Sequence, residues 1–185
     1  MTRAFVAVRP PAAVLDAIDA RTARVDLPAG ARRTPRAQWH ITVQFLGDHV
    51  DLDAVAAELT HVRAAVGDDA PRSVRLGGAT TLPPRPRAKF LVLGVAHGGD
   101  WLAHVADAVA SAVAPLGIVR EERAFTPHLT IARFRDPVDL APAVAAIGPD
   151  PVGDAWPAGE LVLYESRLGS GPAEHVERAA VPLGA

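Results

Sequence analysis

Trp39–Gly47 reads WHITVQFLG, and Pro127–Phe134 reads PHLTIARF. Each stretch sets a His-x-Thr triplet among apolar, partly β-branched residues, which is the composition of a strand. In an extended chain, side chains two apart share a face. His40 and Thr42 therefore point one way while Ile41 and Val43 point the other, and His128 and Thr130 are divided from Leu129 and Ile131 in the same manner. The reading is two strands, each offering an imidazole and a hydroxyl on one face and packing the other into a core. If the strands face each other, they enclose a cleft with two proton-transfer groups and two hydrogen-bond donors. Such a cleft suits attack on a phosphodiester. One His-x-Thr is a weak signal, whereas two in matching apolar settings are a strong one. The competing reading is two half-buried strands with a hydrogen-bonded histidine on each.

Working outward, Arg3–Arg9 reads as a strand, and Pro10 and Pro11 suit a helix start. Val14, Leu15, Ile18 and Val25 give that helix one apolar face to about Asp26. Leu27–Ala37 is a loop with Pro28, Gly30 and Pro35. Asp51 is placed as the N-cap of a helix in which Leu52, Val55, Leu59, Val62 and Val66 keep the helical period, and Gly67 ends it. Arg72–Leu82 and Lys89–Val95 read as strands around a turn at Pro83, Pro84 and Pro86. Asp100 caps a third helix carrying Leu102, Val105, Val109, Val113 and Leu116, with Gly117 as its stop. Ile118–Ala124 approaches the second motif as a short strand. Asp139–Ile147 reads as a short helix, and Val152–Trp156, Glu160–Leu168 and His175–Val181 as closing strands. Each motif strand falls between helical segments and no low-complexity linker intervenes. The order predicts an α+β fold in which residues 1–185 form one unit of two related lobes facing each other.

Composition bounds the function. The 185 residues fit one domain, or two small lobes sharing a core. Apolar content of 49% and charged content of 22% are ordinary for a soluble globular chain. A net charge of −2 supplies no global basic field for long nucleic acid, so an anionic ligand has to be held locally. Lys89 is the only lysine, so nearly all positive charge is arginine, which can grip phosphate through two parallel hydrogen bonds. The absence of cysteine excludes disulfides, thiolate nucleophiles and cysteine-ligated metals. The stretch MTRAFVAVRPP has too short an apolar run for a signal peptide, and no stretch approaches the roughly 18 apolar residues of a membrane span. The expectation is a soluble cytoplasmic protein with no membrane partner. With no coiled-coil seam or long exposed apolar stripe, it is expected to be a monomer.

A cyclic phosphodiester needs a nucleophile activated on one side of phosphorus and a leaving oxygen protonated on the other. Two histidines on opposite walls can serve as base and acid, because imidazole titrates near neutral pH. Threonine hydroxyls can donate to the non-bridging oxygens, where negative charge grows. This chemistry requires no metal and no cofactor. A zinc site would need a third ligand such as His175 or an Asp, and no HExxH spacing is present. No GxSxG elbow, Walker loop or GxGxxG occurs either. His61 and His104 fall in predicted helices, and His49 and His97 near turns.

WHITVQFLG and PHLTIAR together resemble the two signature strands of the two-histidine (2H) phosphoesterase superfamily, in its branch of RNA 2′,3′-cyclic phosphodiesterases, the LigT- or ThpR-like 2′-5′ RNA ligases. RAFVAVRPP resembles the family's opening strand, TLPPRPRAKFLVLGV its central turn and strand, and LVLYESRLGSGPAEHVERAAVPL its closing hairpin. The resemblance implies a bilobal, pseudo-twofold α+β fold: duplicated lobes of antiparallel sheet with outer helices, and an active-site cleft between them. It implies His40 as proton donor to the leaving oxygen, His128 as the base that activates water, and Thr42 and Thr130 as substrate contacts. The implied substrates are RNA 3′ ends or nucleotides bearing a cyclic phosphate, opened to 2′-phosphomonoesters with the 3′ oxygen leaving. Arg133 matches an arginine that follows the second motif and is a candidate phosphate contact. Its odd offset from His128 puts it on the opposite face of a regular strand unless the strand bends or ends. The chain departs from the family at Arg33, where an aromatic is common, at Lys89–Phe90 in place of an apolar–Trp pair, and at His175, where a tyrosine is common. Two other functions fit the same cleft: a non-catalytic nucleotide or RNA-end binding module, and reversible 2′-5′ RNA joining with a ribose hydroxyl as nucleophile.

Overall fold

The computed structural model describes residues 2–67, 72–120, 124–167 and 173–183. The chain runs β1 (Thr2–Val8), α1 (Ala12–Thr22), β2 (Arg32–Arg33), β3 (Ile41–Asp48), α2 (Leu52–Leu59), α3 (Val62–Val66), β4 (Ser73–Leu82), β5 (Arg87–His97), α4 (Gly99–Val113), β6 (Leu129–Asp139), α5 (Ala141–Ile147), β7 (Val152–Pro157), β8 (Glu160–Arg167) and β9 (Glu174–Pro182). Among the described residues the strands form one curled sheet in the order β7-β4-β5-β6-β3-β1-β8-β9, with β2 attached to β6. Every pairing is antiparallel.

The order is symmetric about its middle. Outward from the junction, β3, β1, β8 and β9 on one side answer to β6, β5, β4 and β7 on the other. At the junction, β3 and β6 are joined among the described residues by a single pair, Ile41 with Leu129. The helices lie on one face. α1 and α5 pack against the half holding β4 and β7, while α4 packs against β3 with α2 and α3 beside it. A buried apolar core running through both halves fills the space between sheet and helices. None of the helices among the described residues is long and apolar enough to cross a membrane.

Asp51 is the N-cap of α2, its carboxylate accepting from the backbone N–H groups of Asp53 and Ala54 at 3.1 Å each. The helix predicted to run from there to Val66 is broken. The Thr60 hydroxyl donates to the Ala57 carbonyl at 2.6 Å, and the N–H groups of Thr60 and His61 reach three residues back rather than four. Leu59, Val62 and Val66 stay buried on both sides of the break, so the apolar period gives no sign of it. α1 stops at Thr22, short of Asp26. α4 begins at Gly99 after Gly98, whose φ is 82° and where a Cβ would lie 2.3 Å from the Ser73 carbonyl oxygen. Asp100 is therefore in the first turn, favourable there to the helix dipole, and is not the cap. The strand expected over Ile118–Ala124 does not form at residues 118–120 or 124, and residues 121–123 lie outside the described residues. The loop after α1 contains β2 and a 3₁₀ turn at Arg36–Gln38.

Candidate active site

The two motif strands repeat each other beyond the triplet. In β3, Ile41 is buried, Thr42 half-buried, Val43 and Gln44 both buried, Phe45 exposed and Leu46 buried. Leu129, Thr130, Ile131, Ala132, Arg133 and Phe134 of β6 follow the same sequence of burial. The doubled buried residue marks a β-bulge in each strand. β1 pairs Val6 with Gln44 and then Ala7 with Thr42, leaving Val43 over. β5 pairs Leu91 with Ala132 and then Val92 with Thr130, leaving Ile131 over. An extra residue reverses the alternation beyond it. That is the physical reason why Arg133, at an odd offset, returns to the face of His128. Phe45 holds the equivalent place in the other half and is 53% exposed.

Ile41 and Leu129 are fully buried on the helix side. Their neighbours in sequence therefore point into the concave side. The Ile41–Leu129 pair brings the two triplets together at the seam, with His40 and Thr42 flanking it on one side and His128 and Thr130 on the other. The same local bond orients both rings. His40 Nδ1 donates to the Gln38 carbonyl at 2.7 Å, and His128 Nδ1 donates to the Thr126 carbonyl at 2.7 Å. A carbonyl only accepts, so the bond assigns the proton to Nδ1 and leaves Nε2 for chemistry. His40 Nε2 lies 3.1 Å from Thr42 Oγ1 and accepts from that hydroxyl. Gln38 is itself fixed, its side-chain amide donating to the Ala173 carbonyl at 2.6 Å.

A small aromatic cluster backs His40. Phe5 stacks on its ring at 4.7 Å, Tyr164 stacks on Phe5 at 5.2 Å, and His175 meets His40 edge-on at 5.4 Å. Phe5, Ala7, Val162 and Tyr164 form a second buried cluster on the cleft side of the sheet. Burial pushes the His40 imidazole down to about 3, helped by positive charge on His175, Arg133 and His128 and opposed by the Gln38 hydrogen bond. His175 is lowered by burial and then by Arg133. Burial also lowers Arg133, whose reach to both histidines places its charge inside the cleft. Arg33 takes no part: it faces the helices, with its guanidinium donating to the carbonyls of Thr22 and Val25. Phe90 lies opposite Arg133, on the cleft side. Among the described residues, no group of three or more His, Asp or Glu side chains is placed to hold a metal ion.

Sequence reasoning identified His40, Thr42, His128 and Thr130, which the fold brings together, and Arg133, which the bulge adds to them. It missed Phe5 and Tyr164, whose alternation with Ala7 and Val162 is the available signal. It also missed the carbonyls of Gln38 and Thr126, which any residue could supply.

Two sheet halves meeting at paired His-x-Thr strands, with both triplets on the concave face, define the architecture of a two-histidine phosphoesterase. The chain belongs to the 2′-5′ RNA ligase superfamily, whose family model matches residues 10–169. It is 26% identical over 136 residues to an Aquifex aeolicus protein named RNA 2′,3′-cyclic phosphodiesterase, covering 73% of this chain and 72% of that one. An Aeropyrum pernix protein of the same name is 30% identical over 97 residues, covering 52% of this chain and 53% of that one. In fold it is similar to a Thermus thermophilus crystal structure, with TM-score 0.76 and 24% identity over 98% of this chain and 97% of that one. Escherichia coli LigT complexed with 3′-AMP gives TM-score 0.72 and 22% identity over the same shares of the two chains.

Proposed function

We propose that this protein opens 2′,3′-cyclic phosphodiesters at RNA or nucleotide ends, giving 2′-phosphomonoesters by acid–base catalysis with two histidines and no metal. The observation that carries the proposal is the convergence of both His-x-Thr triplets on one face, either side of the Ile41–Leu129 pair. The names of the Aquifex and Aeropyrum relatives point to the same substrate class. His128 takes a proton from water, whose oxygen forms the new bond to phosphorus. The bond from phosphorus to the 3′ oxygen breaks, and His40 gives that oxygen its proton. Thr42 and Thr130 donate to the non-bridging oxygens, and Arg133 meets their charge.

The charge state of His40 fixes the order of events. The ring is neutral when the cleft is empty, since its pKa is held near 3. The incoming phosphate anion offsets the positive charge of Arg133 and itself favours an imidazolium, so His40 takes up its proton as substrate binds. Protonated Nε2 then has a hydrogen to give, and the Thr42 hydroxyl turns from the ring to the phosphate.

The test is a panel of cyclic phosphates assayed with the wild type, His40→Ala and His128→Ala, with product position read by phosphorus NMR. The expected result is a 2′-phosphate from the wild type, no turnover by either folded variant, and no effect of chelators. Nucleotide affinity without turnover of any cyclic phosphate would instead make the cleft a binding module. Recovery of a 2′-5′ linkage from cleaved RNA halves would make joining part of the activity. Inhibition by EDTA with rescue by zinc would replace the mechanism.

A further inference from the structure

Arg32 and Arg133 stand directly opposite each other on β2 and β6. Opposed residues of an antiparallel pair share a face, so Arg32 lies on the cleft side with Arg133, in one row with Phe90. The orientation of β2 is fixed independently. Its neighbour Arg33 turns to the helix side and donates to the Thr22 carbonyl at 3.1 Å, and the Thr34 N–H continues the ladder to the Ile131 carbonyl at 2.8 Å. Arg36, further along the same loop, is held by Asp16 at 2.7 Å. Arg32 is exposed and has no hydrogen bond or ion pair among the described residues. Two opposed guanidiniums repel each other, and an anion set against both turns that repulsion into attraction.

The chemistry of the substrate says which anion. A 2′,3′-cyclic phosphate carries one negative charge, which Arg133 already meets together with a protonated imidazole. Arg32 stands about 4.8 Å from Arg133, one strand spacing away on the edge of β6 opposite β5. With the 2′ and 3′ oxygens closed into the ring, the terminal ribose has one other oxygen able to bear phosphate, the 5′ oxygen. We propose that Arg32 is the contact for a second phosphate, carried on the 5′ oxygen of the nucleoside whose cyclic phosphate lies between the histidines. This rests on the phosphodiesterase reading above and narrows its substrate class to nucleotides phosphorylated at both ends of the ribose. The second phosphate comes either from the next linkage of an RNA chain or from a free 5′-phosphate.

The test compares a nucleoside 2′,3′-cyclic phosphate, its 5′-phosphorylated form, and a dinucleotide ending in the same cyclic phosphate. Each is assayed with the wild type and with Arg32→Gln, an exposed change that leaves the fold intact. For the wild type we expect KM about fivefold to tenfold lower with the second phosphate present, as befits one exposed charge-assisted contact. Arg32→Gln removes that advantage, leaves kcat and the plain cyclic nucleoside unaltered, and lowers the salt slope for the dinucleotide by about one. An advantage confined to the dinucleotide assigns the contact to an RNA linkage, and one confined to the 5′-monoester assigns it to a free 5′-phosphate. Equal KM for all three substrates, or an equal loss on the plain cyclic nucleoside in Arg32→Gln, overturns the proposal. Calorimetry with a nucleoside 3′,5′-bisphosphate against the 3′-monophosphate needs no turnover. If no cyclic phosphate is hydrolysed, the phosphodiesterase reading fails, and the bisphosphate preference of the wild type over Arg32→Gln still decides the role of Arg32.

Discussion

His40 is expected to make the protein sensitive to acid above the range in which most carboxylates titrate. Its imidazole is held down to about 3 in the folded chain, against about 6.5 in an unfolded one. Between those values the unfolded chain binds a proton that the folded chain refuses. Stability therefore rises with pH across this window and is lost as the pH falls. The contribution is complete above about pH 6.5 and erodes by about 1.4 kcal/mol per unit below it. From about pH 7 to about pH 5 the loss comes to about 2 kcal/mol, an upper figure because part of the ring meets solvent. The assay is the free energy of unfolding by urea at both pH values, for the wild type and for His40→Gln. The variant has an amide in place of the imidazole and nothing there to titrate, so the wild type should lose about 2 kcal/mol more than the variant on acidification. His175 is lowered as well and acts in the same direction, but it remains in both proteins and largely cancels. A saturating nucleoside 2′-monophosphate should shrink the difference by raising the pKa of His40. Parallel pH dependences in the two proteins would refute burial as the cause of the shift.

Thr42→Val is expected to lower kcat about 100-fold with little change in KM, since the hydroxyl acts on charge that grows in the transition state, while Thr42→Ser retains most of the rate in the same assay. Arg133→Gln should raise KM for every cyclic phosphate and move the acidic limb of the kcat/KM profile upward, because one of the charges depressing His40 and His175 is removed. Gly98→Ala should destabilise the fold by about 2–3 kcal/mol in thermal or urea unfolding, as the new methyl group meets the Ser73 carbonyl at a backbone angle alanine avoids.

The twin strands were legible because their chemistry follows a period of two, which a sequence displays directly. The bulges were not. Val43 and Ile131 look like ordinary members of an alternating strand, and only pairing with β1 and β5 reveals that each is an extra residue. Arg133 was thus recognisable by type and position while its face was obscured. Asp51 could be read as a cap because its carboxylate does the work. Gln38 and Thr126 could not, because each orients a histidine through a backbone carbonyl. The α2–α3 break escaped notice for a related reason: the apolar stripe continues across Thr60, whose hydroxyl decides the matter locally. His175 stood out as a departure from the family, but its place against His40 comes from strand pairing across a distance in sequence.

The seam between the sheet halves has a consequence for how such an enzyme tolerates change. One backbone pair holds β3 to β6 among the described residues, and the fully buried Ile41 and Leu129 side chains lie beneath it, between the two triplets. Trimming either side chain, as in Ile41→Val or Leu129→Val, should detune turnover at a position no ligand ever reaches, and kcat measured on folded protein would register it. Substitutions in this buried layer are therefore expected to reach the reaction geometry without touching the cleft.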